Sequence, residues 1–229
     1  MRVLVTRAEE DAGRTARRIA ALGHEPVIAP ITRIVPTGDP RPAGPWDALI
    51  VTSAHAEEAI RSIADKALPV FAVGERTARA VRQAGFSTVA VADGDAVSLS
   101  GLIRRSLPPD RVLLHVTARH HKEEPALSLQ AAGFRVVHWE AYEAAAAERL
   151  PESAIADLQA GRTGAVLHYS RRGAELFLRL AKEAHLSSTL SAPVHLCLSP
   201  DVAAPIEALD LPVRVASRPD EEALLATLR

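Results

Sequence analysis

One pattern constrains this chain more than any other: an apolar run, a small hydroxyl or glycine residue, then an amphipathic segment, twice in succession between Asp47 and Ala84. Ala48–Val51 meets Thr52-Ser53, a helix-capping pair, and Val70–Val73 meets Gly74 and Thr77 before a second helical segment. A looser copy runs from Gly164 to Leu209, with Ser53 mapping onto Ser170 and Pro69 onto Pro193. Such repetition specifies parallel strands covered by helices on both faces.

Taken in order, the apolar runs predict strands near 2–6, 25–29, 48–52, 69–73, 88–92, 111–116, 134–140, 165–169, 193–197 and 213–216. Helices are expected near 9–22, 54–65, 75–84, 96–106, 121–132 and 152–160, and after each of the last three strands. Gly23, Gly85 and Gly133 fall where a helix should stop. Two passages break the alternation. Val35–Trp46 holds four prolines and two glycines in twelve residues, and EAAAAERLPES follows Tyr142 without strand character.

The middle segment carries five expected strands and can bury a core, whereas the two-strand N-terminal and three-strand C-terminal pieces are each too small alone. The expectation is an α/β protein of two similar five-stranded parallel-sheet domains, the second inserted in the first and joined by a two-stranded hinge. Residues 1–34 plus 149–229 form the discontinuous domain, 35–46 and 141–148 the linkers, and 47–140 the inserted domain. A cleft between two such lobes is the expected place for a ligand.

Composition narrows the function. Aromatic residues are only 3%, which disfavours a base-stacking nucleic-acid binder, and a net charge of −1 supplies no field to recruit DNA or an anionic membrane. Of the 27 cations all but Lys66, Lys122 and Lys182 are arginine, a bias compatible with an anionic ligand and equally with a GC-rich coding sequence. Cys197 is the single cysteine and sits in an apolar run, so a buried inert thiol is expected and no intramolecular disulfide is available. With no signal-peptide pattern and no apolar run approaching ~20 residues, a cytoplasmic protein is expected.

In open parallel sheets, ligands bind at the C-terminal strand ends, where helix N-termini present unpaired N–H groups. Those ends carry Thr6-Arg7, Thr52-Ser53, Gly74–Thr77, Thr117–His120, Tyr169-Ser170 and Ser199-Pro200. Several of them facing one cleft would grip a ligand with many carboxylates. Any single Ser or Thr there is first of all a helix cap. No G-x-G-x-x-G, P-loop, H-x-x-x-H or G-x-S-x-G motif occurs. His120 and His121 diverge on a helix, and His115 and His138 lie in separate strands, so no metal or organic cofactor is expected. By themselves the residues stop at a two-lobed binder of an anionic ligand.

DALIVTSAHAEEAI, LPVFAVGERTARAVRQAGF, RVVHWEAYEA and VLVTRAEEDAGRTARRIAALGHEPVIAPI, taken together and in this order, resemble uroporphyrinogen-III synthase over essentially the whole chain. The resemblance implies a cofactor-free two-domain lyase that closes hydroxymethylbilane, a linear tetrapyrrole with eight carboxylates, to uroporphyrinogen III with loss of water and inversion of ring D. It implies a monomer and a transient contact with hydroxymethylbilane synthase. Tyr142 matches the tyrosine that closes the family's inserted domain and is the expected catalytic residue. Arg7, Ser53, Gly74, Thr77, Thr117, Arg119, Ser170 and Ser199 are the expected substrate contacts, and metal ligands are expected to be absent. Two positions depart from the family pattern: Thr117-Ala118 where a glycine is usual, and Asp201-Val202 where small hydroxyl residues are common. These departures keep an inactive paralogue, or a non-catalytic binder of a polycarboxylate, beside the synthase reading.

Overall fold

The computed structural model describes residues 1–228, Glu10 by its backbone alone. The chain opens with strand β1 (Arg2–Val5), helix α1 (Glu9–Ala21), strand β2 (Glu25–Ile28) and strand β3 (Thr32–Pro36). There follow β4 (Ala48–Val51), a 3-10 turn (Ala54–Ala56), α2 (Glu57–Arg61), β5 (Val70–Ala72), α3 (Glu75–Gln83), β6 (Val89–Val91) and α4 (Ala96–Ser106). Then come β7 (Val112–Ala118), α5 (Ala126–Ala131) and the long β8 (Arg135–Ala146). The last portion runs α6 (Glu152–Gln159), β9 (Thr163–His168), α7 (Arg171–Glu183), β10 (Val194–Cys197), α8 (Pro200–Glu207), β11 (Val213–Val215) and α9 (Glu221–Ala226). Two compact units result, one from Met1–Arg33 with Ala145–Arg229 and one from Ile34–Ala144.

The discontinuous unit holds a five-stranded sheet, order β11-β10-β9-β1-β2, with every neighbouring pair parallel. After Arg2, β1 is a run of three buried apolar residues, Val3–Val5, and a strand buried on both faces needs such a run. Its alternation divides the core: Val3 and Val5 pack with Ile19, Leu196 and Leu224, while Leu4 packs with Leu158, Val166, Phe177 and Leu180. Serine caps start two of the helices, Ser170 accepting from Gly173 N–H at 3.1 Å and Ser199 from Val202 N–H at 3.4 Å.

The contiguous unit holds a sheet of order β3-β8-β7-β4-β5-β6. Five of these strands run parallel, as expected. The sixth is a correction: β3 straddles the end of the 1–34 segment and the first two residues of the expected linker, and β8 runs on to Ala146 through the alanine run read as lacking strand character. Thr37 N–H donates to Ala141 C=O at 3.2 Å and Ala147 N–H to Ile31 C=O at 2.8 Å, a pattern in which β3 and β8 run antiparallel. Alanine is a weak strand former, so it is the cross-strand bonding with β3 that extends β8.

Two helices are shorter than expected. The stretch after Ser53 tightens into a 3-10 turn before α2 ends at Arg61, and α5 begins only after Pro125, since the residue preceding a proline is pushed out of helical geometry. Gly85 and Gly133 end α3 and α5 with φ of +98° and +90°, a backbone region that penalises a Cβ. Among the described residues no helix is long and apolar enough to cross a membrane.

Candidate functional site

In the contiguous unit the site is built around a β-bulge. The β7–β8 register runs regularly from Val112 opposite Arg135 to Thr117 opposite Glu140, then skips so that Ala118 opposes Tyr142. Ala141 is the extra residue. A skip of one position turns the following side chain to the other face of the sheet, and so Trp139, Ala141 and Tyr142 all join one apolar cluster with Ile60, Leu114 and Val116. Arg119 N–H donates to Tyr142 C=O at 2.9 Å and fixes the backbone just past the bulge.

Tyr142 is 7% exposed, and its ring lies tilted 6.3 Å from that of His55. Burial raises the phenol's pKa, while the neighbouring Ser53 hydroxyl draws it part of the way back. The phenol therefore keeps its proton at neutral pH. A small pocket lies beside it, lined by Val35, His55, Glu58, Ala59, Ala141 and Tyr142 among others. Ser53 is at once the strand-end residue after β4 and the cap of the following turn, its Oγ accepting from His55 N–H at 3.3 Å.

The other expected residues of this unit are placed differently. Gly74 caps α3 in extended backbone, and an added Cβ would meet Gly94 Cα at 3.4 Å, so two strand-end loops touch there. Thr77 and Thr117 are 5% and 2% exposed, inside the packed layer and not on an open surface. The Arg119 guanidinium meets the protein's own carboxylates, Asp39 at 3.1 Å, Glu143 at 3.2 Å and Glu140 at 4.0 Å.

Sequence reasoning missed a histidine cluster in this unit. The register places His115 directly opposite His138, and His121 stacks on His138 with ring centroids 5.0 Å apart. His115 Nε2 lies 3.2 Å from Thr52 Oγ1, and His121 Nδ1–H donates to Ala118 C=O at 2.8 Å. Burial, then the neighbouring His138 and His121, push the His115 pKa down to about 3. Strand order was the missing signal, since only pairing β7 with β8 brings 115 and 138 together. The rings are gathered, yet among the described residues no three His, Cys, Asp or Glu side chains converge as metal ligands.

In the discontinuous unit, Ser170 and Ser199 stand at helix starts after β9 and β10 as expected. Asp201, the departure beside Ser199, is paired with Arg171 at 3.3 Å. Arg7 turns inward: its guanidinium bonds Asp11 at 2.9 Å and Glu221 at 3.0 Å and lies 4.4 Å over the Tyr169 ring. Burial works against the Glu221 carboxylate, but Thr15, Arg7, Arg14 and Arg18 outweigh it and hold its pKa below the ordinary value. The Tyr169 phenol is pushed up to about 12, chiefly by burial. Its hydroxyl has Thr15 and Arg7 beside it but no partner at hydrogen-bond geometry among the described residues. Deeper in the sheet, His168 Nε2 and His195 Nδ1 are 3.0 Å apart, and His195 Nε2–H donates to Leu190 C=O at 3.0 Å. Burial holds the pKa of both below the ordinary value.

A family model for uroporphyrinogen-III synthase HemD matches residues 13–226. No curated protein sequence matches the chain. Among solved structures, uroporphyrinogen-III synthetase from Helicobacter pylori 26695 aligns with a TM-score of 0.65 at 18% identity, covering 100% of both chains. A mutant uroporphyrinogen III synthase from the extremely thermophilic bacterium Thermus thermophilus aligns at 0.49 and 19% identity, covering 100% of this chain and 96% of the other. At 18% identity the Helicobacter pylori likeness speaks for the fold alone.

Proposed function

Since the chain belongs to the uroporphyrinogen-III synthase family, which closes hydroxymethylbilane to uroporphyrinogen III, we propose that Tyr142 is the general acid of a cofactor-free dehydrating closure, a lyase reaction. The observation that carries this reading is the Tyr142 phenol itself, kept protonated by burial at the edge of a pocket. The phenol donates its proton to the departing hydroxyl of the substrate, and water leaves. The delocalised cation that remains closes through the substituted carbon of ring D to a spiro intermediate, which fragments and recombines with that ring inverted. Loss of a proton from the carbon that formed the last bond restores the aromatic pyrrole, and that proton balances the one Tyr142 gave.

The rest of the site's work is conformational. Without a template the linear tetrapyrrole closes directly to the uninverted isomer I, so the protein must hold one folded conformer and favour the spiro path. Helix starts supply the grip: N–H groups around Ser53, Gly74 and Thr77 in one unit and around Ser170 and Ser199 in the other suit carboxylates. Arg7 and Arg119, already paired with the protein's own carboxylates, orient those loops in this reading and do not clamp the substrate. Thr117, being buried, acts through backbone position alone. The working form is a cytoplasmic monomer that receives its unstable substrate from hydroxymethylbilane synthase, with hinge and domain limits at 35–46 and 141–148.

The test is a coupled assay with freshly made hydroxymethylbilane, followed by oxidation and chromatographic separation of the isomers. Predominantly isomer III is the expected product. Isomer I at the level seen without protein would overturn the reading and favour a non-catalytic binder of polycarboxylates.

A further inference from the structure

We propose that His55 is a second catalytic residue of this pocket, the base that takes the proton lost from ring D once the last carbon–carbon bond has formed. The inference deepens the reading of Tyr142 as the acid and rests on it.

The pocket beside Tyr142 has apolar walls except for three side chains, Tyr142, His55 and Glu58. Glu58 is exposed, where solvent screens it, whereas His55 is half-buried. The His55 ring lies 6.3 Å from the Tyr142 ring and is tilted against it by 59°, so the two line one pocket without stacking on each other. Local chemistry sets where His55 stands. Its N–H donates to Ser53 Oγ at 3.3 Å, and the next N–H, of Ala56, donates to Ser53 C=O at 3.2 Å, which closes the 3-10 turn. Ala56 is fully buried and anchors that turn in the same apolar cluster as Tyr142. The phenol and the imidazole are therefore carried by one packed core, the arrangement that keeps two reacting groups in place between turnovers.

The reaction asks for two proton transfers at two places. The hydroxyl departs from the bridging carbon on one side of ring D. After inversion the last bond forms to the bridging carbon on the other side, and the ring-D carbon in that bond still carries its hydrogen. Breaking this C–H bond returns its electron pair to the pyrrole ring, and the proton passes to an imidazole nitrogen of His55. The imidazolium then gives a proton to solvent and the Tyr142 phenolate regains one, so water is the only by-product. Two groups with the width of a ring between them suit two carbons on opposite sides of ring D better than one phenol doing both tasks. Histidine is also the side chain that ordinarily exchanges protons near neutral pH.

The test uses His55→Gln, which keeps a polar side chain on the turn, and His55→Ala, which opens space for free imidazole. Both should lower kcat by roughly 10²-fold, the scale of general base catalysis, with KM within about twofold. Added imidazole should raise the kcat of His55→Ala in proportion to its concentration. With substrate deuterated at the open carbon of ring D, both variants should show a larger isotope effect than the unsubstituted protein, because proton loss has become the slow step. A kcat within about twofold of the unsubstituted protein overturns the proposal and leaves the Tyr142 phenolate to take the proton back. A rise in KM at unchanged kcat overturns it by making His55 a substrate ligand. A fall in kcat that neither imidazole nor deuterium alters overturns it in favour of packing. If the unsubstituted protein yields only isomer I, the functional reading and this inference fall together; isomer III with any of the three results above defeats the role of His55 alone.

Discussion

The chain has two tyrosines, and the structure treats them in opposite ways. Tyr142 is buried within β8 and Tyr169, just past β9, is partly buried with its hydroxyl shielded, and burial raises the pKa of both phenols. Tyr142 lies beside the His55 ring and borders a pocket. Tyr169 lies flat beneath the Arg7 guanidinium in an ion network centred on Glu221. Burial alone therefore does not make a phenol into an acid. What differs is whether a reacting group can come near: Tyr142 borders a pocket, whereas Tyr169 packs against Arg7.

The comparison breaks most readily by exchanging each ring for phenylalanine. Tyr142→Phe should lower turnover by ~10²-fold, the scale of general acid catalysis, and leave the melting temperature within a few degrees because the apolar ring remains in its cluster. Tyr169→Phe should leave turnover within about twofold, since its hydroxyl makes no hydrogen bond among the described residues. Steady-state assays beside thermal melts check both. Equal activity losses would erase the distinction between the rings, and an unchanged rate in Tyr142→Phe would sink the acid assignment.

A second substitution sharpens the other half. Glu221→Gln removes the charge that Arg7, Arg14 and Arg18 share and should destabilise the protein by about 1–3 kcal/mol in urea melts, the range for a partly buried charged network. Its kcat should stay put, because the network around Tyr169 is structural in this reading. A large kcat loss at unchanged stability would show that Arg7 and its neighbours touch the substrate.

The smallest expected effect concerns pH. A folded-state pKa of about 3 for His115, against an ordinary 6.5, means the folded protein favours the neutral ring. Between those values the unfolded chain binds the extra proton, so this contribution is complete above about pH 6.5 and is lost as pH falls toward 3. One such group gives a slope of at most ~1.4 kcal/mol per pH unit. The groups facing it are His121 and His138, with Glu140 acting on His138. His115→Gln should flatten the slope of stability measured by denaturant melts between pH 6 and 4, values chosen to lie about midway in that window. An unchanged slope would assign the acid sensitivity to the His168–His195 pair instead.

The sequence told much of this and withheld some of it for physical reasons. Five parallel strands in each sheet were legible because a strand covered on both faces must be a continuous apolar run, as Val3–Val5 and ALIV are. Ser53, Ser170 and Ser199 were legible as caps, since capping is local chemistry. The pairing of β3 with the end of β8 was hidden because TRIVP runs straight into a proline-rich passage and the alanines of β8 have little strand character of their own. The ion partners of Arg7 and Arg119 were hidden for a similar reason: sequence shows a cation at a strand end but not the Glu221 or Glu143 that the fold brings to it. The bulge at Ala141 has no sequence signature at all, yet it sets which way Tyr142 points.

The place of β1 between β9 and β2 carries a consequence for how the protein is made. Arg2 pairs with Glu25 on one side and with Thr163 on the other, so the first strand synthesised waits for one neighbour until most of the chain exists. Meanwhile the contiguous unit, Ile34–Ala144, has its whole sheet in hand apart from the first residues of β3 and the last of β8. Once that unit forms, the bond from Ala147 N–H to Ile31 C=O brings the two ends of the insertion side by side. The closure that β1 and β9 then face is that of a short connection and not of more than a hundred free residues. The inserted unit is in this sense the folding clamp of its host, and a ribosome-bound chain should compact in its middle before its beginning finds a home.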